Sequence, residues 1–224
     1  GGLGGAPGRR RHSRPRRGGS LSLRSGGEDA ACDEWEVLMG ALKSKGASLR
    51  PAEEGELGRI LQLSERFREE MNPETFASML QSGGMEWMRS EISEVLQVND
   101  MRPPHLLVLC EGGAISGYIY STVEEWFGAE SLYIAELFVE ERHRGRGLGG
   151  LLTAVSLHLA TVNGITCSHL CVGERQQVAG RMYTESFGFA PLEGMEGLMT
   201  DLELKNVKMG VKAYCGRLVA KDGG

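Results

Sequence analysis

The segment Phe138-Val139-Glu140-Glu141-Arg142-His143-Arg144-Gly145-Arg146-Gly147-Leu148-Gly149-Gly150-Leu151-Leu152 links an apolar run to an amphipathic one. Its glycines let the backbone turn sharply and approach a ligand closely. The N–H groups of such a loop, with the first turn of the helix that follows, can cradle an anion. Arg142, Arg144 and Arg146 add positive charge. Together these features describe a pyrophosphate site. A Walker loop needs Gly-x-x-x-x-Gly-Lys-Ser/Thr, which is absent here. The Rossmann spacing Gly-x-Gly-x-x-Gly falls on Gly145, Gly147 and Gly150. That fingerprint belongs to a first strand–helix unit with an acid about 20 residues later. Here the loop comes late, and that distance reaches Gly164-Ile165.

Working outward, Leu132–Val139 is apolar at both parities, which marks an interior strand covered on both faces. Downstream, Leu148, Leu151, Leu152, Val155, Leu159 and Val162 form the buried stripe of a helix over 148–163, closed by Gly164. His169–Val172 reads as a short strand, Gln176–Ser186 as a helix with Gly188 beyond it, and Leu198–Leu204 as a final strand. Upstream, His105–Cys110 and Ile115–Val123 form a hairpin about Glu111-Gly112-Gly113. Before it come a lead-in or short helix over 33–45, a strand near Leu49 stopped by Pro51, and a helix over Glu53–Met71. Asn72-Pro73-Glu74 then restarts a helix, and Glu86–Val98 follows Gly83-Gly84. This order predicts one α/β domain over 31–205, a mixed central sheet with helices on both faces. Residues 206–224 form an extension whose structure the pattern does not define.

Charge divides the chain. Residues 1–27 hold seven arginines and no acid, although the whole chain carries a net charge of −5, so a basic tail joins an acidic body. Such a body does not suit nucleic-acid binding and mildly favours cationic ligands such as amines. Residues 1–30 read as disordered. Their Arg-rich, acid-free character also fits an organelle transit peptide, and an RNA-binding arginine tail is a third reading. The compartment is then the cytoplasm, or a plastid or mitochondrion if the tail is a transit peptide. No run of about 18 apolar residues exists, so no membrane span is expected. Five irregularly spaced cysteines argue against a disulfide framework. The first residue is glycine, which leaves open a fragment, a processed product or an incomplete gene model.

Arg142-x-x-Gly145-x-Gly147 after Leu137-Phe138-Val139 resembles the acetyl-CoA motif Gln/Arg-x-x-Gly-x-Gly/Ala of the GNAT acetyltransferases. Val178–Phe189, with Tyr183 and Gly188-Phe189, resembles the later motif of that family, and the hairpin with Gly117-Tyr118 resembles its central strands. The likeness spans roughly residues 47–204. One departure is Gln176, where many members carry Asn. The resemblance implies acetyl-CoA as acyl donor, with no metal. Backbone groups of Leu137, Phe138 and Val139 would meet the pantetheine arm. Arg144, Gly145, Arg146, Gly147, Leu148 and Gly149 would hold the pyrophosphate through the backbone, with Arg142 and Gly150 also in the cofactor site. It implies an N-acetyltransferase acting by direct attack of a small-molecule or peptide amine in a ternary complex, and it allows a homodimer.

Two proton transfers remain. Glu136 is the lone charge in its strand, alternating with Leu132, Ile134 and Phe138. A buried carboxylate is costly unless used or paired, so Glu136 is the candidate base; a salt bridge to an arginine, or exposure at a bulge, is the alternative. Tyr183 matches the family's acid tyrosine, or else it closes the core. Cys167, His169 and Cys171 alternate like metal ligands, but same-face strand residues lie too far apart in a line for one ion. His143 and the acidic pair Glu124-Glu125 read as loop residues. Met85, Trp87 and Met88 fall where the family places substrate-facing helices. Competing readings are another acyl donor or a protein amine, a non-catalytic acyl-CoA-binding regulatory module, and an RNA-associated protein.

Overall fold

The computed structural model describes residues 28–71, 73–81, 84–126, 129–173, 175–191 and 211–217. The elements are α1 (Glu28–Ser44), β1 (Ala47–Pro51), α2 (Leu57–Met71, entered through a 3-10 turn), α3 (Pro73–Gln81), α4 (Gly84–Leu96), β2 (His105–Glu111), β3 (Ala114–Trp126) and β4 (Ala129–Val139). Then follow α5 (Leu148–Val162), β5 (Cys167–Gly173), α6 (Gln177–Arg181, continued by a π-helical turn to Ser186), β6 (Ala190–Pro191) and β7 (Val211–Arg217). The strands form one sheet in the order β1-β2-β3-β4-β5-β7-β6. Among the described strands only β4 and β5 run parallel, joined by α5.

Alternation in the strands divides the apolar residues between two layers. Leu107, Leu109 and Ile119 face α1 and α5, with Leu42, Leu152, Val155 and Leu159. Leu106, Val108 and Tyr118 face α2 and α4, with Ile60, Leu63, Phe67, Met88 and Ile92. Each fully buried aliphatic side chain contributes roughly 1.5–3 kcal/mol. The expected mixed sheet with helices on both faces is therefore present.

The differences lie at the ends and in the strand pattern. The helix read over 33–45 begins at Glu28, so residues 28–30 of the expected tail are helical; residues 1–27 lie outside the described residues, as does Leu198–Leu204. The C-terminal extension contributes β7, which lies between β5 and β6. Glu124 and Glu125 belong to β3, because the hairpin stays paired as far as Trp126↔Ala129.

Two irregularities shape the sheet near the future site. At Gly117 a Cβ would meet Phe138 O at 2.6 Å, so only glycine permits this approach of β3 to β4. Between Tyr120↔Glu136 and Ser121↔Ile134, β4 carries one extra residue, Ala135. A bulge of one residue reverses which side chains face which way. Leu132 and Ile134 accordingly pack toward α5, whereas Phe138 packs toward α2. The expected alternation of Glu136 with Leu132 and Ile134 on one face is corrected by this bulge.

Polar groups inside the core carry a pH signature. His105 is fully buried, its Nε2 2.9 Å from Ser156 Oγ. Burial pushes its imidazole down to about 4. Unfolded, it would take a proton near the ordinary 6.5. The unfolded state therefore binds more protons as pH falls from about 6.5 to 4, and stability drops over that window by about 3 kcal/mol. Chemical denaturation of wild type and His105→Gln between pH 7.5 and 4 should show a flatter dependence in the variant.

Candidate active site

The parallel ladder of β4 and β5 contains four pairs, Ser131↔Cys167 to Ile134↔Leu170. Beyond the Ala135 bulge β4 runs on to Val139 and β5 to Gly173, with no pairing between them. The edge of β4 over 135–139 thus faces no described strand and presents outward backbone groups, of which Val139 O is taken by Arg144 Nε. The gap opens toward the loop that leads into α5. There Gly145 and Gly147 adopt φ of 74° and 75°. Gly147 is the N-cap of α5 in the left-handed region, and no side chain caps the helix. The first-turn N–H groups of α5 have no partner within the helix. Their dipoles add positive potential at the same place.

Leu137, the first turn of α5 and the turn after α6 converge here. A Cβ on Gly149 would lie 3.9 Å from Leu137 Cδ2 and 4.0 Å from Met182 Sδ. A Cβ on Gly150 would lie 3.8 Å from the same sulfur. Tyr183 follows Met182 and is buried. Burial raises its phenol well above the ordinary range, and the Thr153 side chain of α5 partly offsets this. The Gln176 side chain accepts from the Gly173 N–H at 3.3 Å. At the position of the family's Asn, it closes the turn between β5 and α6.

The arginines of the loop are engaged within the protein. Arg146 donates to Lys45 O and pairs with Glu111. Arg144 donates from Nε to Val139 O at 2.7 Å, pairs with Glu70, and lies over the Phe138 ring at 5.2 Å. Arg142 pairs with Glu140 at 3.1 Å but stays 70 % exposed. Arg144 and Arg146 thus tie the loop to α2, to β2 and to the turn after α1. His143, read as a loop residue, bonds Glu111 at 2.8 Å and is half-buried.

Glu140 is the hub on the other side. Arg59 (3.1 Å), Arg66 (2.9 Å) and Arg142 converge on its carboxylate. Burial alone would raise it, but the guanidiniums, led by Arg59, hold it below the ordinary carboxylate range. Together with Glu141 these residues line a 430 Å³ surface cavity.

Glu136 is 4 % exposed. Its carboxylate accepts from Ser64 Oγ at 2.7 Å, from Tyr118 Oη at 2.5 Å and from Arg68. The salt bridge weighed as the alternative to a base is thus present, and the carboxylate lies beside a bulge. Burial and the Glu136 charge push the Tyr118 phenol far up. The sequence reading did not anticipate Ser64 and Arg68. A hydroxyl within the buried stripe of Ile60, Leu61, Leu63 and Phe67 was the available signal. The Cys167–His169–Cys171 strand holds no cluster of ligands. His169 bonds Ser131 at 2.8 Å and stacks on Tyr133. Among the described residues no group of three or more His, Cys, Asp or Glu is placed to hold a metal ion, and no helix is long and apolar enough to cross a membrane.

The sequence model of the Acetyltransferase (GNAT) family matches residues 64–189, more than half of the chain, from α2 through the loop to Phe189. The chain belongs to the GNAT family. Solved GNAT structures share the fold. A GCN5-related N-acetyltransferase from Ralstonia eutropha JMP134 is 25% identical, with 67% of this chain and 96% of that one covered and a TM-score of 0.54. The PaiA N-acetyltransferase from Thermoplasma acidophilum, in complex with coenzyme A, is 12% identical, covering 76% and 98%, with a TM-score of 0.55. The N-acetylglutamate synthase of Neisseria gonorrhoeae, complexed with coenzyme A and N-acetyl-glutamate, is 19% identical, covering 77% of this chain and 35% of that one, with a TM-score of 0.52. No curated protein sequence is significantly similar. As a GNAT protein the chain is an acetyltransferase, and the bulge, the open β4 edge and the glycine loop form its candidate site.

Proposed function

We propose that the protein transfers the acetyl group of acetyl-CoA to a primary amine by direct attack in a ternary complex. The observation that carries this reading is the break in the β4–β5 ladder after Ile134↔Leu170, opening beside a helix N-terminus whose loop is held by its own arginines. An extended arm can add itself to the free β4 edge at Leu137, Phe138 and Val139, while the N–H groups of residues 144–150 meet a pyrophosphate. The PaiA and N-acetylglutamate synthase neighbours are complexes with coenzyme A, which supports this choice of ligand. Acetyl-CoA supplies an activated acetyl thioester. Backbone N–H groups on the same edge would steady the charge that develops on the carbonyl oxygen.

Tyr183 is the proton donor in this reading. Its raised phenol stays protonated throughout the neutral range, which suits donation of a hydrogen bond to a departing thiolate. Thr153 keeps its own bond to Gly149 O at 3.0 Å without it. Tyr183→Phe should therefore stay folded and bind coenzyme A normally, with turnover lowered roughly 100-fold or more. Unchanged turnover would assign the proton to water.

Calorimetric titration of the full chain with acetyl-CoA, beside NAD and ATP, tests the whole reading. Selective acetyl-CoA binding followed by thiol release with an amine supports it. A folded protein that ignores acetyl-CoA removes it.

A further inference from the structure

An ammonium group must lose a proton before its nitrogen can attack a carbonyl carbon. On the side of α2 and α4, Glu136 adjoins the Ala135 bulge, and Glu91 bonds Tyr120, the cross-strand partner of Glu136. A carboxylate offers about four lone-pair sites. Ser64, Tyr118 and Arg68 occupy three of those on Glu136. Protonating it would also leave Arg68 facing a neutral group.

Glu91 is in a different position. It is half-buried on α4 and accepts one hydrogen bond among the described residues, from Tyr120 Oη at 3.1 Å. Tyr120 is the cross-strand partner of Glu136, so Glu91 reaches the same pair of residues beside the bulge. Burial, and next to it the Glu136 charge, raise its carboxyl; the Tyr120 bond and Arg68 oppose this, and the net direction is upward. Glu94, on its own helix, adds to the rise. Trp87 lies one turn earlier on α4, on the same face as Glu91, and is 61 % exposed. An exposed indole close to a carboxylate suits a cation.

We propose that Glu91 takes the proton of the acceptor, a cationic primary amine met at the α4 surface by the Glu91 carboxylate and the Trp87 ring. The assignment rests on the acetyl-transfer reading above. One proton passes from the ammonium nitrogen to Glu91 and on to solvent. The freed lone pair forms the nitrogen–carbon bond. The carbon–sulfur bond breaks with its electron pair on sulfur, and a second nitrogen proton ends there, giving amide and thiol.

Two readouts on the full chain test this. In the first, protein labelled with 13C at the glutamate carboxyl carbons is titrated by NMR, and Glu91→Gln identifies the Glu91 signal. Glu91 should titrate above the exposed glutamates, and higher still in Tyr120→Phe, which removes the opposing hydrogen bond. A Glu91 that titrates with the exposed set overturns the proposal. In the second, thiol release from acetyl-CoA is followed with spermidine, tyramine and a lysine peptide. With whichever amine is accepted, Glu91→Gln should lower kcat/KM on the order of 100-fold and flatten the acid limb of the pH profile, with coenzyme A affinity unchanged. Trp87→Ala should raise KM for the amine more than it lowers kcat. Wild-type kinetics and pH profile in Glu91→Gln would overturn the Glu91 assignment alone. Failure of the wild-type chain to bind acetyl-CoA would overturn the acetyl-transfer reading beneath it.

Discussion

Gly147→Val is expected to weaken coenzyme A binding about 100-fold or more and leave the protein folded. Gly147 has φ of 75°, and a Cβ there would meet no atom within 4 Å, so the substitution creates no clash in the free protein. Its cost is conformational. A side chain in the left-handed region costs roughly 1–2 kcal/mol, and a β-branched one fits least well. The loop can relieve that strain by leaving the left-handed region, which turns the N–H groups at the start of α5 away from one another. Loss of two charge-assisted hydrogen bonds, at roughly 1.5 kcal/mol each, weakens binding about 100-fold. A valine side chain would also stand where the anion is cradled. Calorimetry with coenzyme A, beside a thermal melt, separates the two effects. Wild-type affinity would mean that the anion binds elsewhere.

The second large effect is on stability. Arg68→Met leaves Glu136 buried with Ser64 and Tyr118 as its remaining donors. Removing one partner of a buried ion pair costs about 3–5 kcal/mol, because the other charge is left uncompensated. In a domain of this size that lowers Tm by roughly 10 °C or more. Glu136→Gln should cost less, since Arg68 is partly exposed and water can reach it. The double variant Arg68→Met with Glu136→Leu should recover part of the loss. A thermal-melt double-mutant cycle reads this directly. A near-wild-type Tm for Arg68→Met would show that the pair contributes little, and that Glu136 is held by Tyr118 and Ser64.

The glycine loop, the hairpin and the helix after the loop were legible in the sequence because each depends on local chemistry. Gly145, Gly147 and the apolar stripe of α5 carry their meaning within a few residues. What was not legible depends on distant partners. The side-chain partners of Arg144 and Arg146, which are Glu70, Glu111 and Lys45 O, all lie far away in sequence. The Ala135 bulge leaves no mark in a run such as Ser131-Leu132-Tyr133-Ile134-Ala135-Glu136, so parity put Glu136 on the wrong face. The pairing of β7 with β5 likewise needs the tertiary fold, since Val211–Arg217 is a short strand with a weak apolar pattern.

Ala135 divides β4 into two half-strands with separate duties. The half before it is riveted to β5 by four parallel pairs and belongs to the scaffold. The half after it pairs with β3 and, among the described strands, not with β5, and it carries the open edge. The extra residue acts as a joint. The apolar pattern of residues 129–134 can drift to suit α5 without altering which way Glu136 and Phe138 face. Side chains of residues 136–139 can likewise be retuned without altering the four pairs that bind β4 to β5.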